Sequence, residues 1–430
     1  MKCLSLLLLL GITLPLRAQT TAPAQVLTLQ DALQRASRAN LQLLLSQEQV
    51  TEAQTNVGTA RSALLPSVTG EASQSRNQQY LNFGDQLSGT LTTDSFSALL
   101  QARLSIFDYN AWTSYRGAKL GVQVAEAQLE ETVQDIWQQI GQSYLLHLRN
   151  ERQIDVIEAA IERDRTLFDQ AQERADAGVA SALDLNRAEV QLASSEFQLV
   201  EQETAAYESE LTLKRLLNLP LDQPLQLVDP ELEDVGEAAF NGQQLQEILD
   251  QRAAVRQARL AIQRSQVALR SARGERLPDV ALTGNYGVNG EDMGDTHETW
   301  GVQLGVSVPI WEGGRITAEA LRARSQLRQS ELQLEQTIQQ LGVDYRLTLD
   351  QLRAARRQVE IAERRVRLSR SELDLARTSF QEGIADNSEL TDAQANLATA
   401  EDQLVQARYA LDLAVVNLAR VRGRVQEVAQ

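Results

Sequence analysis

The sequence predicts a mainly α protein with a small β part, built as two tandem copies of one plan. Three observations carry this. An unbroken heptad runs through a helix expected over 386–423 and on to Val428. Leu390, Leu397, Leu404, Leu411, Leu418 and Val425 form a large seam, and Ala393, Ala400, Ala407, Ala414, Val421 and Val428 a small one. Stretches near 95–107 and 299–310 alternate apolar and polar residues with the period of two that marks a strand. Matching landmarks recur at a fixed offset: Gly178 and Gly383, Leu185 and Leu390, Ala188 and Ala393 are each 205 positions apart.

Composition bounds the function. Aromatic residues are only 4% of the chain, and Gln, Ala, Glu, Arg and Leu dominate, which favours long helices over one large core. The formal charge of −17 argues against nucleic acid as a partner, since no basic patch stands out for phosphates.

The N-terminus reads Met1, Lys2, an apolar run over 4–16, then Arg17 and Ala18. A charged start, an apolar stretch too short to anchor and a small residue before the cut describe a secretory signal peptide over 1–18. Its removal takes away Lys2 and Arg17, so 41 basic residues become 39 against 58 acidic ones, a net charge of −19. It also removes Cys3, the sole cysteine, and with it any disulfide, thiol nucleophile or lipid-bearing Cys. No later apolar stretch is long enough for a transmembrane helix, which leaves a soluble exported protein or a β-barrel.

The first repeat is expected over 19–218. Residues 28–62 read as one helix with Leu29, Leu33, Ala36, Leu41, Leu44 and Leu45 near helical spacing. Leu65-Pro66 ends it, because proline disfavours helix in the residue before it. A first strand is expected at about 66–80, and a polar loop with Asn82, Gly84, Asp85 and Gly89 follows. The second strand, about 95–107, sets Phe96, Ala98, Leu100, Ala102, Leu104 and Ile106 on one face and serines, Gln101 and Arg103 on the other. Residues 109–177 contain no proline and read as a helix roughly 100 Å long. A turn at Gly178 leads into a returning helix over 181–218 with Leu185, Leu192, Leu199, Ala206 and Leu213 in its seam. Residues 219–243, with Pro220, Pro224 and Pro230, read as an irregular connector.

The second repeat is expected over 244–424, with a tail at 425–430. A helix over 245–273, Leu277-Pro278, a strand at about 279–288, an acidic loop over 287–298 and a strand at about 299–310 repeat the order. A second long helix over 314–380 carries Tyr345, Leu352, Val359, Val366, Leu373 and Phe380 on one seam and Thr348, Ala355, Ala362, Ser369 and Ala376 on the other.

Each half supplies two strands long enough to cross a bilayer at a tilt, four per chain. Closed barrels need roughly eight or more, and an open edge cannot face lipid, so several chains would share one barrel. A small soluble sheet with one buried face is the alternative. Ten of the 19 aromatic residues lie in the strand-bearing segments, many near strand ends, as in interfacial girdles, which favours the barrel.

The run Ser307-Val308-Pro309-Ile310-Trp311-Glu312-Gly313-Gly314-Arg315 resembles the strand-to-helix junction of outer-membrane efflux proteins of the TolC type, echoed by Leu104-Ser105-Ile106-Phe107-Asp108. The Leu-Pro pairs and the turns Ala177-Gly178-Val179-Ala180 and Glu382-Gly383-Ile384-Ala385 are similar too, so the resemblance covers essentially the whole mature chain. It implies a homotrimer whose twelve-stranded barrel sits in outer-membrane lipid and continues as a trimeric α-barrel through the periplasm. It implies a passive exit duct of a tripartite efflux or type I secretion system, fed by an inner-membrane transporter through a periplasmic adaptor. The other reading is a soluble periplasmic coiled-coil scaffold or adaptor.

By the same resemblance, acidic residues past each turn form a periplasmic gate, at Asp184 in the first half and Glu389 and Asp392 in the second. Three copies of each would make rings that repel anions. Yet Ser181 with Asp184, and Asp386 with Glu389, also read as capping boxes. Arg187 stands opposite Asp392 in the repeat, and Ala385 stands where some relatives carry a basic latch. The turns, Gly178, Val179, Ala180 and Gly383, Ile384, Ala385, are the expected adaptor-docking tips, and each also serves as a helix reversal. Pro309, Trp311, Gly313 and Gly314 mark the strand-to-helix junction.

No enzyme, cofactor or metal is expected. His147 falls on the large seam, 205 positions before Leu352, and reads as packed, while His297 stands alone in the acidic loop. Glu291, Asp292, Asp295 and Glu298 in that loop read as solvated surface rather than a cation site. No glycine-rich phosphate loop is present.

Overall fold

The computed structural model describes residues 25–82, 88–178, 181–230, 232, 242–382 and 387–426. The expected signal peptide lies outside these described residues, as do Val179, Ala180, Gly383, Ile384 and Ala385. The first half contains β1 (Gln25–Leu27), α1 (Leu29–Ala39), α2 (Leu41–Ser62), β2 (Ser67–Asn82), β3 (Ser88–Phe107), α3 (Tyr109–Asp176) and α4 (Ala182–Leu216). The second contains β4 (Leu225–Leu227), α5 (Gly242–Gln251), α6 (Ala253–Gly274), β5 (Asp279–Gly290), β6 (Thr296–Ser307), α7 (Arg315–Gln381) and α8 (Asn387–Arg422).

The helix expected over 28–62 is broken at Asn40, where the backbone is extended at φ −67° and ψ 124°. The Asn40 side-chain oxygen accepts hydrogen bonds from the N–H groups of Gln42 and Leu43, and its Nδ2 donates to the Leu216 carbonyl at 2.8 Å. One side chain thus starts α2 and ties it to the end of α4. The helix expected over 245–273 is likewise two helices, parted at Arg252 with φ −67° and ψ 128°. Arg252 lies 212 positions after Asn40, the same offset as between Pro66 and Pro278. It does not cap α6, and its guanidinium reaches away to Glu131.

The strands run further than their alternation suggested. β2 and β3 pair as far as Asn82 with Ser88, and β5 and β6 as far as Gly290 with Thr296. Backbone pairing continues where the side chains become polar. Asp292 closes the short β5–β6 turn by accepting from the N–H groups of Gly294 and Asp295 at 2.7 and 3.0 Å. β6 stops at Ser307 rather than reaching Ile310, because Pro309 offers no N–H to a ladder. The sheet order is β2-β3-β5-β6, antiparallel throughout, with a register shift between Ser105 and Phe107.

α3 and α7 are 68 and 67 residues long, roughly 100 Å each. Near the sheet, α3 lies between α2 and α6, and α6 packs on α7; beyond the middle, α4, α3, α8 and α7 follow one another side by side. The guanidinium of Arg174 stacks 4.1 Å over the Phe380 ring, so the two helix reversals share one end. At the other end the Tyr109 ring lies against Gly274, where a Cβ would sit 2.0 Å from the ring, so only glycine allows this approach.

The heptad seams are where the core forms. Leu390, Ala393, Leu397 and Ala400 pack on Val366, Leu373 and Phe380. Nearer the middle, Ala414 and Leu418 pack on Tyr345, Leu352 and Ala355. At mid-height, β4 pairs in parallel with β1, so the connector is not wholly irregular. The Tyr144 hydroxyl seals this belt 2.9 Å from the Leu27 carbonyl and 2.5 Å from that of Val228. Burial pushes that hydroxyl up to about 12.

A buried ion cluster joins the halves beside it. Arg252, 5% exposed, donates to Glu131 at 3.0 Å and to the Arg420 carbonyl at 2.9 Å, while Arg420 donates to Glu131 at 2.6 Å and to Asp135.

Candidate functional site

The sheet has no core. Among the described residues, none of β2, β3, β5 or β6 is buried. On one face, Leu100, Tyr286 and Trp300 stand in register across three strands, as do Ala102, Gly284 and Val302, and Leu104, Leu282 and Leu304. Trp300 is 74% and Leu304 62% exposed. The other face is polar, with Ser73 bonded to Ser97, Ser75 to Ser95, and Arg103, Thr283 and Gln303 in line. An exposed apolar face opposite a polar one suits lipid on one side and water on the other, not the one-sided burial of a soluble sheet.

Both edges of the chain are open. Among the described residues β2 and β6 each pair on one side only. The helical row ends at α4 on one side and α7 on the other, and each outer helix carries a further apolar stripe at heptad spacing. On α4 it is Leu183, Val190 and Phe197, and on α7 it is Ile361, Leu368 and Leu375, all 58–68% exposed. Both stripes keep the seven-residue spacing of the buried seams they lie beside. Charge differs between the edges as well. α4 has seven acidic side chains against three basic ones, and α7 thirteen arginines against nine acids.

Of the expected gate residues, Asp184 completes a reciprocal cap at the start of α4. The Asp184 N–H donates to the Ser181 hydroxyl at 3.2 Å, and Asp184 accepts from that hydroxyl at 2.8 Å. Glu389 lies in the first turn of α8, where an acid suits the helix dipole. Its expected capping partner Asp386 lies outside the described residues. Asp392 is exposed one turn further on, and Arg187 is exposed at the corresponding place on α4. Gly178 holds φ +73°, the left-handed residue just past the C-cap of α3.

At the junction, Gly313 and Gly314 hold φ +59° and +86°, two left-handed residues that turn the chain from strand to helix. Arg315 then gathers Glu275, Glu312 and Glu319 at 2.7–2.8 Å, which raises its already high pKa further. Trp311 projects 85% exposed beside Pro309.

His147 is packed, as its seam position implied. It is 4% exposed, with Nδ1 3.2 Å from the Ala206 carbonyl and 3.1 Å from the Ser209 hydroxyl. His297 is solvated, 3.8 Å from Asp295. Among the described residues no group of three or more His, Cys, Asp or Glu could hold a metal ion.

A two-faced sheet of bilayer height set on a wall of long helices defines a class, the subunit of a membrane duct with a helical extension. The chain belongs to the outer membrane efflux protein family, whose model matches residues 28–219 and 244–424. It is 25% identical over 404 residues to the pyoverdine export outer membrane protein OpmQ of Pseudomonas aeruginosa, covering 92% of this chain and 85% of that one. It is 24% identical over 418 residues to the proteases secretion protein PrtF of Dickeya chrysanthemi, covering 94% and 90%. In fold it is similar to the Campylobacter jejuni CmeC outer membrane channel, with a TM-score of 0.82 at 19% identity, covering 92% of this chain and 85% of that one. The TolC-type resemblance is thereby borne out, and the chain is an outer-membrane exit duct with a helical periplasmic part. Its family and fold are those of channels, not enzymes.

Proposed function

We propose that three copies close side by side into one passive duct, β6 of each copy pairing with β2 of the next to give a twelve-stranded barrel, and α7 lying against the neighbouring α2 and α4. The observation that carries this is the pair of open edges running the length of the chain. An unpaired strand edge in lipid leaves backbone groups unsatisfied, so the sheet needs neighbours. The apolar stripes of α4 and α7 and their opposite charge balance support the same contact in the helical wall.

In this reading residues 1–18 are a removed signal peptide, 19–218 and 244–424 are the two repeats, 219–243 is the connector and 425–430 the tail. The duct serves a tripartite efflux or type I secretion system and carries out no chemistry. The reversals at Gly178, Val179 and Ala180 and at Gly383, Ile384 and Ala385 dock a periplasmic adaptor, and an inner-membrane transporter supplies the energy. Asp392, with Glu389 and Asp184, rings the periplasmic mouth, while Pro309, Trp311, Gly313 and Gly314 set the strand-to-helix junction among lipid headgroups.

Extraction from membranes decides between this and a soluble scaffold. A heat-sensitive trimer that needs detergent and gives single-channel conductance in planar bilayers is expected, and a water-soluble monomer would sink the reading. Asp392→Asn should lower cation selectivity or divalent block. Unchanged selectivity and block would remove Asp392 from the gate.

A further inference from the structure

Just beyond the sheet, α3 carries two cations stacked on aromatic rings. The Arg116 guanidinium lies 5.7 Å from the centre of the Trp112 ring, and the Lys119 ammonium 4.5 Å from that of Tyr115. Among the described residues neither cation forms an ion pair, whereas Arg315, also at a sheet-to-helix junction, is held by three carboxylates. What sets these two apart is that each is stacked on a ring of the same helix face.

Their height is set by helix geometry. α3 begins at Tyr109, directly after the exposed apolar Ile106 and Phe107 at the end of β3. Trp112 and Arg116 therefore sit roughly 5–10 Å beyond the apolar band, within the headgroup layer, and Lys119 roughly 15 Å beyond it. Helical side chains lean toward the N-terminus, which here is the membrane end, so both cations reach back toward the bilayer. The stacking shows this lean directly, each charge lying over a ring four residues nearer the sheet.

The opposite face of α3 is unlike it. Ser114, Gly117 and Gly121 line a cleft shared with α2 and α6. Trp112, Tyr115, Arg116 and Lys119 do not line that cleft, and Trp112 is 49% exposed.

We propose that Trp112, Tyr115, Arg116 and Lys119 form a binding site for the phosphate of anionic phospholipid headgroups in the leaflet facing the helices. The rings sit at the interface as amphipathic anchors, and each stacked cation keeps N–H donors free for phosphate oxygens. The site rests on the outer-membrane setting of the chain and is independent of how many copies share the barrel.

The test is native mass spectrometry of the full chain purified in detergent, presented with phosphatidylglycerol and phosphatidylcholine of equal acyl length. Wild-type protein should retain phosphatidylglycerol in preference. R116Q/K119Q should lose that preference by roughly tenfold or more, since each basic residue near an anionic surface is worth about a fivefold change. R116K/K119R, which preserves both charges, should keep most of it. Equal retention of the two lipids by wild type, or an undiminished preference in R116Q/K119Q, overturns the proposal.

Discussion

The sheet and the helical wall obey opposite rules. In the wall each long helix buries its own seam against a neighbour in the same chain, and residues such as Ala400, Leu418 and Tyr345 are wholly enclosed. In the sheet no described side chain is enclosed, although its apolar residues are in strict cross-strand register. One region is stabilised by what the chain brings to itself. The other depends on lipid and on further strands. The same chain therefore contains a self-sufficient part and a part completed only by its surroundings.

The sharpest test of that contrast is Leu418→Ala. It empties a fully enclosed seam position and should cost about 2–5 kcal/mol, read as a lower melting temperature of the helical signal in circular dichroism. A loss under about 0.5 kcal/mol would break the comparison, because the wall would then not rest on its seam.

Leu304→Arg addresses the other region. Leu304 is 62% exposed, so in water the change would be nearly neutral, but on a lipid face it should cost about 2–4 kcal/mol and reduce recovery from membranes. Gln303→Arg, one residue away on the polar face, should leave recovery unchanged. Equal effects would show that the two faces do not meet different solvents.

A smaller effect sharpens the picture inside the wall. Burial pushes the Asp412 carboxyl up to about 6, against the pull of Arg152 and with repulsion from Asp229. The folded chain then binds more protons than the unfolded one between about pH 4 and 6. The sign follows: Asp412 favours folding at low pH and loses that contribution as pH rises through 6. Asp412→Asn should raise stability by about 2 kcal/mol at pH 7.5 and flatten the melting temperature between pH 4 and 7. An unchanged pH profile would mean that Asp412 is not desolvated.

Much of this was legible beforehand because the signals are local. The seam of α8, the alternation of β3 and β6, the capping box of Asp184 and the packed His147 are each set by spacing within one element. The breaks at Asn40 and Arg252 were not legible, because both lie inside runs that keep helical spacing on either side. Asn40 breaks its run through its own side-chain cap, and the break at Arg252 is held by partners far along the chain. The membrane-facing cations of α3 were equally hidden, for Arg116 and Lys119 acquire meaning only from their height above the sheet.

By itself the sequence determined the periods of the elements, their order and their duplication, because steric spacing of apolar residues is a property of neighbouring positions. Tertiary structure alone decided which stripes stay open at the edges, and that Arg252 and Arg420 meet Glu131 and Asp135 across the wall. Arg420 and Asp135 are 285 residues apart, and no local pattern fixes the register in which two such distant helices pack.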